Sequence, residues 1–363
     1  MKLYDNDGNE IELISSKQTE LANMSGAPTN PTIWNDDFDM SNYGVVHTFS
    51  QFPNDYSSSA SNYKVNAVTS QDIFETFYDG YLGWNENLCV TKKLLGHDTS
   101  GTYPVWEYDF KPKQARRKIL LTSGVHGHEI TGVFGVARWI KDYMESEEPV
   151  FEYLRSNVHV CVIPVVDPWA FNHTPEKTYA NSRGVNPNRN YNTWDNAWYD
   201  FPVYTPEQNE WNVKGEYPWS EEETRIVTEF VKNNSDAVFY IDCHTGVGWK
   251  NSRTGEWPGE VWIYQSSDNP LNDKIESAFN SLVSHYQTYS GGANATGLRY
   301  VDDDTFINGY YFQNNVGVPM MTLEMGQGKN GSVVWGSLSP YNNPQMIVEY
   351  TKQLHGFIVG QLK

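Results

Sequence analysis

The sequence predicts an α/β fold, a three-layer sandwich with a mixed, largely parallel central sheet, and three observations carry that expectation. Short, unbroken apolar runs recur along the chain, as strands covered on both faces require. Segments with apolar residues at helical spacing separate them. Polar, chemistry-bearing residues stand where several of the runs end, and open α/β sheets bind ligands at the carboxyl ends of their strands.

Taken in order, residues 1–65 differ from the rest. They are rich in Asn, Ser and Asp and include the patch SSSASN over 57–62. An N-terminal extension or accessory segment is expected there, with a hairpin over Lys2–Leu13 that turns at Asp7-Gly8. The main domain is expected over 66–363. Gln71–Tyr78 reads as a short helix and Lys118–Ser123 (KILLTS) as a buried strand. Gly132–Met144 carries Val133, Val136, Ala137, Ile140 and Tyr143 at helical spacing. Val158–Val166 (VHVCVIPVV) is a second buried strand. Ser220, with Glu223 three residues on, is expected to open a helix over Glu221–Val231 as a capping box. Ala237–Cys243, Glu260–Gln265 and Pro319–Met325 supply further strands, Asn272–Tyr286 a helix, and Gln345–Val359 the closing helix.

A chain of 363 residues with 39% hydrophobic and 15% aromatic content can bury a large core and is not globally disordered. Its formal charge of −19 argues against nucleic acid and against anionic membrane surfaces as partners. No run of about 20 apolar residues suggests a membrane span. The first residues lack the apolar core of a secretory signal, so the chain is expected to be cytoplasmic as synthesised, with phage association as one setting. Cys89, Cys161 and Cys243 are too few and scattered for a disulfide framework. Cys161 and Cys243 lie in apolar runs and read as small buried hydrophobes.

Three segments point to chemistry. Directly after KILLTS comes Gly124-Val125-His126-Gly127-His128-Glu129, where His126 and Glu129, three apart on a turn entering a helix, can reach one ion. His128 is then a neighbour outside the ligand set. After AVFYI comes Asp242-Cys243-His244-Thr245. A catalytic zinc takes three N/O protein ligands and keeps one open position, and His126, Glu129 and His244 meet that count. No HExxH motif occurs. In the third segment, Met321-Thr322-Leu323-Glu324-Met325-Gly326, a carboxylate closes an apolar strand. Such a group is costly unless solvated, paired or functional. Beside a metal site Glu324 becomes the natural general base, taking the proton of the water that the metal acidifies to a pKa of about 7.

The order of these segments resembles the zinc metallocarboxypeptidase family of carboxypeptidase A type. Its His-x-x-Glu, Asn-Arg, His-hydroxyl and late strand-Glu signatures match His126–Glu129, Asn186-Pro187-Asn188-Arg189-Asn190, His244-Thr245 and Thr322-Leu323-Glu324. Val162–Trp169 looks like the family's strand and Asn-Pro turn, and Pro218–Thr224 like its Pro-Glu-Thr helix start. The resemblance implies one Zn²⁺ ion and a peptide substrate with a free C-terminal carboxylate, which Asn188 and Arg189 would bind. A planar guanidinium suits that bidentate pairing. Glu324 would be the base and later the acid toward the leaving amine.

Three departures from the family stand out. Asn186 occupies the place of an Asp that accepts a hydrogen bond from the first zinc His. Tyr179 occupies the place of the Arg that polarises the scissile carbonyl, which leaves Arg183, or Lys177, as the candidate cation. For the substrate-capping Tyr the nearest candidate is Tyr300, with Tyr310 and Tyr311 as rivals. The leading expectation is a zinc-dependent carboxypeptidase, with cell-wall peptides among its substrates. An N-acyl amino acid deacylase shares the same metal site, and a catalytically inactive binding or virion-structural module would keep the fold alone. Asp302, Asp303 and Asp304 would attract a basic side chain or simply form a solvated acidic loop.

Overall fold

The computed structural model describes residues 3–4, 10–11, 69–84, 87–173, 179–192, 197–200, 202–209, 212–245, 261–265, 273, 298–300, 312–325 and 344–362. Near the amino end, β1 (Leu3–Tyr4) pairs antiparallel with β2 (Glu10–Ile11), in register Leu3↔Ile11. The turn expected at Asp7-Gly8 lies outside the described residues. So do Lys177, Asp302–Asp304, Tyr310, Tyr311 and, apart from Asp273, the helix expected over Asn272–Tyr286.

A nine-stranded sheet organises the rest of the described residues. Its strands are β3 (Gly83–Trp84), β4 (Leu88–His97), β5 (Pro104–Pro112), β6 (Arg117–Ser123) and β7 (Val158–Ile163). They continue with β8 (Phe239–His244), β9 (Val261–Gln265), β10 (Leu298–Tyr300) and β11 (Met320–Met325). The order across the sheet is β10-β9-β11-β8-β6-β7-β5-β4-β3. The centre, β11-β8-β6-β7, is parallel throughout. Antiparallel pairs flank it on both sides, β9 with β11 and the β7-β5-β4-β3 series. The expected mixed α/β sandwich is the observed class.

Helices cover both faces. On one side lie α1 (Ser70–Phe77), α2 (Ile130–Glu145), α3 (Pro149–Asn157) and the closing α6 (Pro344–Leu362), packed on Tyr108, Phe110, Ile119, Leu121, Val160 and Ile241. The short α4 (Pro168–Asn172) follows β7. The other face takes α5 (Glu222–Asn233), whose Ile226, Val227, Phe230 and Val231 meet Val105, Leu120, Ile163 and Tyr240. Residues two apart on one strand share a face, so the alternation 119/121 against 120 sorts the two cores. Gly135 is required where α2 meets α6, because a Cβ there would stand 2.3 Å from Tyr350 Cδ1. Tyr350 in turn donates to the carbonyl of Leu323 at 3.3 Å and so ties α6 to β11.

Two expectations change. The helix α5 is not opened by a capping box: its N-cap is Glu221, with no side-chain cap. Ser220 instead donates to Glu221 Oε1 at 2.6 Å, and Glu223 is drawn off to the backbone N–H of Thr99 at 2.7 Å. The second strand also stops earlier than VHVCVIPVV suggested, at Ile163, before Pro164, which has no N–H to give. Among the described residues, no helix is long and apolar enough to cross a membrane.

Candidate metal centre

The parallel centre of the sheet brings three expected residues together. β6 ends at Ser123, the chain turns through Gly124 at φ +67°, and His126 and Glu129 follow, Glu129 at the N-cap of α2. β8, next to β6, ends on His244 itself. All three side chains are buried. His126 Nδ1 lies 2.7 Å from Glu129 Oε1, and His244 Nδ1 lies 2.9 Å from Glu129 Oε2. One ligand atom from each falls within 4.8 Å of the others.

The far side of each imidazole is already engaged. His126 Nε2 is 3.1 Å from Asn186 Oδ1, and His244 Nε2 is 2.8 Å from Asp242 Oδ2. Asp242 is itself fixed by a 2.6 Å hydrogen bond from Thr122 Oγ1. A neutral imidazole has one N–H, so giving it to Asn186 or Asp242 leaves a bare lone pair at Nδ1. Two such lone pairs facing one carboxylate repel unless a proton or a cation lies among them. The electrostatics agree. Burial would favour neutral Glu129, yet His126 and His244 hold its carboxyl well below the usual carboxylate range. Burial pulls His244 down, yet Asp242 and Glu129 carry it well above the usual imidazole range. The N, O, N donor set, backed at both imidazoles, fits a divalent zinc.

Around this group the structure is tightly fitted. Thr245 donates its N–H to Glu129 Oε2 at 3.1 Å and accepts from Gly132 N at 3.0 Å, joining β8 to the start of α2. Gly127 abuts α4 so closely that a Cβ would stand 2.2 Å from the carbonyl carbon and oxygen of Ala170. His128 is buried beside the group, with Nε2 4.0 Å from Glu129 Oε1, and stays outside the three-residue set. Tyr179 packs edge-on against both His126 and His128, at centroid distances of 5.0 and 4.6 Å.

The remaining candidates divide. Asn186 caps the one-turn helix Pro187–Arg189, and its Oδ1 also accepts from Asn188 N at 2.9 Å. The turn carrying Asn188 and Arg189 is thereby fastened to the residue that holds His126. Arg189 donates from Nε to Asn212 Oδ1 at 3.1 Å. Glu324 on β11 stands directly opposite His244 on β8 in the sheet register. Tyr300 ends β10, in register with Gln265 and three strands from β8. Arg183 is drawn elsewhere, toward Glu216 Oε1 at 3.4 Å and Glu221 Oε1 at 3.6 Å. Asp242 escaped notice in the sequence, although two residues before His244 on a strand is a same-face position.

Comparison with known proteins bears on family and fold. Carboxypeptidase A1 from Rattus norvegicus is 25% identical over 193 residues, a stretch covering 49% of this chain and 44% of that protein. The chain thus matches less than half the length of that curated relative. Among solved structures, carboxypeptidase A from Helicoverpa armigera superposes with a TM-score of 0.59 at 14% identity, covering 84% of this chain and 76% of the other. A metallo-carboxypeptidase from Burkholderia cenocepacia gives 0.56 at 15% identity, covering 81% and 69%. These structural likenesses establish the fold. The family model for zinc carboxypeptidase matches residues 95–353, well over half of the sequence and every element of the centre described above, and the chain belongs to that family.

Proposed function

We propose that the protein is a zinc-dependent metallocarboxypeptidase that hydrolyses the C-terminal peptide bond of a peptide, with cell-wall peptides among the substrates to be tried. The observation that carries this reading is the convergence of His126, Glu129 and His244 beside a strand whose Glu324 is in register with His244. Zinc, when bound, supplies the Lewis acidity that makes water a nucleophile near neutral pH and polarises a carbonyl. His126, Glu129 and His244 would hold the ion, with Asn186 and Asp242 fixing the two rings. Glu324 accepts a proton from the attacking water and passes it to the departing amine. Asn188 and Arg189 take the terminal carboxylate, which sets the scissile bond one residue in from the end. Arg183 acts as the polarising cation only by leaving Glu216 and Glu221 when substrate binds. Tyr300 remains the candidate for closing over the substrate.

The test compares peptides with free and amidated C termini and N-acyl amino acids, using wild type and Glu324→Gln. Release of the last residue from free-ended peptides alone, with turnover lower by about 10²-fold or more in the variant at unchanged zinc content, supports the reading. Turnover of N-acyl amino acids in preference to peptides would reassign the protein as a deacylase. Absence of turnover on every class would leave a binding module.

A further inference from the structure

A second group of metal-ligating side chains lies at the opposite end of the sheet. Asp109 on β5 and Cys161 on β7 are directly paired in register, and His159 precedes Cys161 by two residues on the same face. Cys161 Sγ is 3.2 Å from Asp109 Oδ1 and 3.3 Å from His159 Nε2. His159 Nε2 also makes a very short contact with Asp109 Oδ1. One ligand atom from each residue falls within 4.8 Å of the others. His159 is in register with Lys118, near the start of β6, whereas His126 lies beyond that strand's other end. The five residue-to-residue steps from Lys118 to Ser123 alone span about 17 Å.

The apolar run VHVCVIPVV suggests a packing role for Cys161, but its sulfur faces a carboxylate and an imidazole. We propose that Asp109, His159 and Cys161 form a second metal site for a divalent ion of zinc type, separate from the His126–Glu129–His244 centre. Three features carry it. Oxygen, nitrogen and sulfur donors together suit a borderline ion such as Zn²⁺, with metal–ligand bonds of about 2.0–2.3 Å. Tetrahedral bonds of that length separate sulfur from its O or N neighbours by about 3.5 Å, close to the two sulfur distances seen. A carboxylate, a thiolate and a neutral imidazole also sum to two negative charges, so a dication leaves the half-buried group neutral. The nearby ammonium of Lys118 does not oppose it, being matched by Asp236 at 2.7 Å and Asn234 at 3.1 Å.

Binding releases the Cys161 thiol proton to solvent, and the Asp109–His159 contact opens to admit the ion. The Asp109 side chain is 32% exposed, which gives a path from solvent and room for water as the fourth ligand. Held this way, the ion clamps β5 to β7, where the sheet changes from parallel to antiparallel pairing.

Cobalt separates the two centres, because only a thiolate ligand gives a sulfur-to-cobalt charge-transfer band in the near ultraviolet. Full-length apoprotein saturated with Co²⁺ should show that band and bind two equivalents. The band should persist in His244→Ala and Cys89→Ser and vanish in Cys161→Ser, which should bind one equivalent. Zinc should raise the thermal midpoint of His244→Ala but not of His244→Ala/His159→Gln. Wild type that shows no such band at saturation, or a band that survives Cys161→Ser, overturns the proposal. Should the Cys161 variant fail to fold, the wild-type spectrum and stoichiometry decide.

Discussion

Asn186 Oδ1 serves two residues at once, 3.1 Å from His126 Nε2 and 2.9 Å from Asn188 N. One amide oxygen thus orients an imidazole of the candidate metal centre and starts the turn proposed to bind substrate. An amide supplies the hydrogen bond without the negative charge that would make the imidazole a stronger donor. Asn186→Asp should therefore raise zinc affinity by about 10–100-fold, the usual scale of such outer contacts. Competition against a chelator measures it, and unchanged affinity would show that the extra charge is not felt at Nδ1.

His126 and His128 are both buried and adjacent, yet only His126 presents a nitrogen to Glu129 at close range. His244→Ala should lose most of the zinc from this centre, while His128→Ala should retain it. Elemental analysis in a Cys161→Ser background isolates this centre from the second site. Equal zinc in the His244 and wild-type forms of that background contradicts the ligand assignment.

Arg183 is held by Glu216 and Glu221. If it leaves them to steady the developing charge, Arg183→Ala should lower kcat strongly with little change in KM or zinc content, since one such donor contributes about 2.7–4 kcal/mol. An unchanged kcat in steady-state assays would leave Arg183 as a loop fastener.

Gly127 has backbone against its face on α4, where a Cβ would come within 2.2 Å of Ala170. Backbone cannot swing aside as a side-chain tip can. Gly127→Ala should cost about 1–3 kcal/mol, the range for overpacking. Because residue 127 sits between His126 and Glu129, zinc content should fall as well. Denaturant titration and elemental analysis read the two effects, and a wild-type midpoint would mean that α4 can retreat.

Asp167 is fully buried among Asp98, Glu221 and Glu223. Burial first, then Glu223, raises its pKa well above the usual carboxylate range. The folded protein therefore binds more protons than the unfolded chain once pH exceeds about 4, the unfolded value. Stability contributed by this group is full below that point and is lost as pH rises toward the folded pKa. Asn keeps the carbonyl oxygen that accepts from Ala170 N at 2.9 Å. Asp167→Asn should raise the thermal midpoint near pH 7 by on the order of 2 °C, with the gain shrinking toward pH 4. A gain that grows on acidification would reverse the assignment.

The strands of the parallel centre were legible because burial on both faces leaves runs such as KILLTS and AVFYIDC with little polar interruption. β4 and β5 were not. Lys92, Lys93 and Asp109 interrupt them where side chains come near solvent, and Glu107 adds a charge that is buried. His126, Glu129 and His244 could be read from motif order, each lying at or just after a strand end. The surroundings of Arg183 were not legible either. The carboxylates it meets come from residues 216 and 221, which no local pattern announces. Tyr179 over His126 and His128 likewise depends on how residues 179–192 fold back, and spacing does not encode that.

The pairing of Glu324 with His244 also has a consequence in time. β11 lies parallel to β8 and between β8 and β9, so no local hairpin with β8 can bring it in early. About two hundred residues separate Glu324 from His126. At a synthesis rate of about 5–20 residues per second, the carboxylate leaves the ribosome roughly 10–40 s after the first imidazole. Throughout that interval a growing chain carries candidate metal ligands without the strand that bears the proposed proton acceptor. On the proposed role of Glu324, activity cannot begin until translation of β11 is complete.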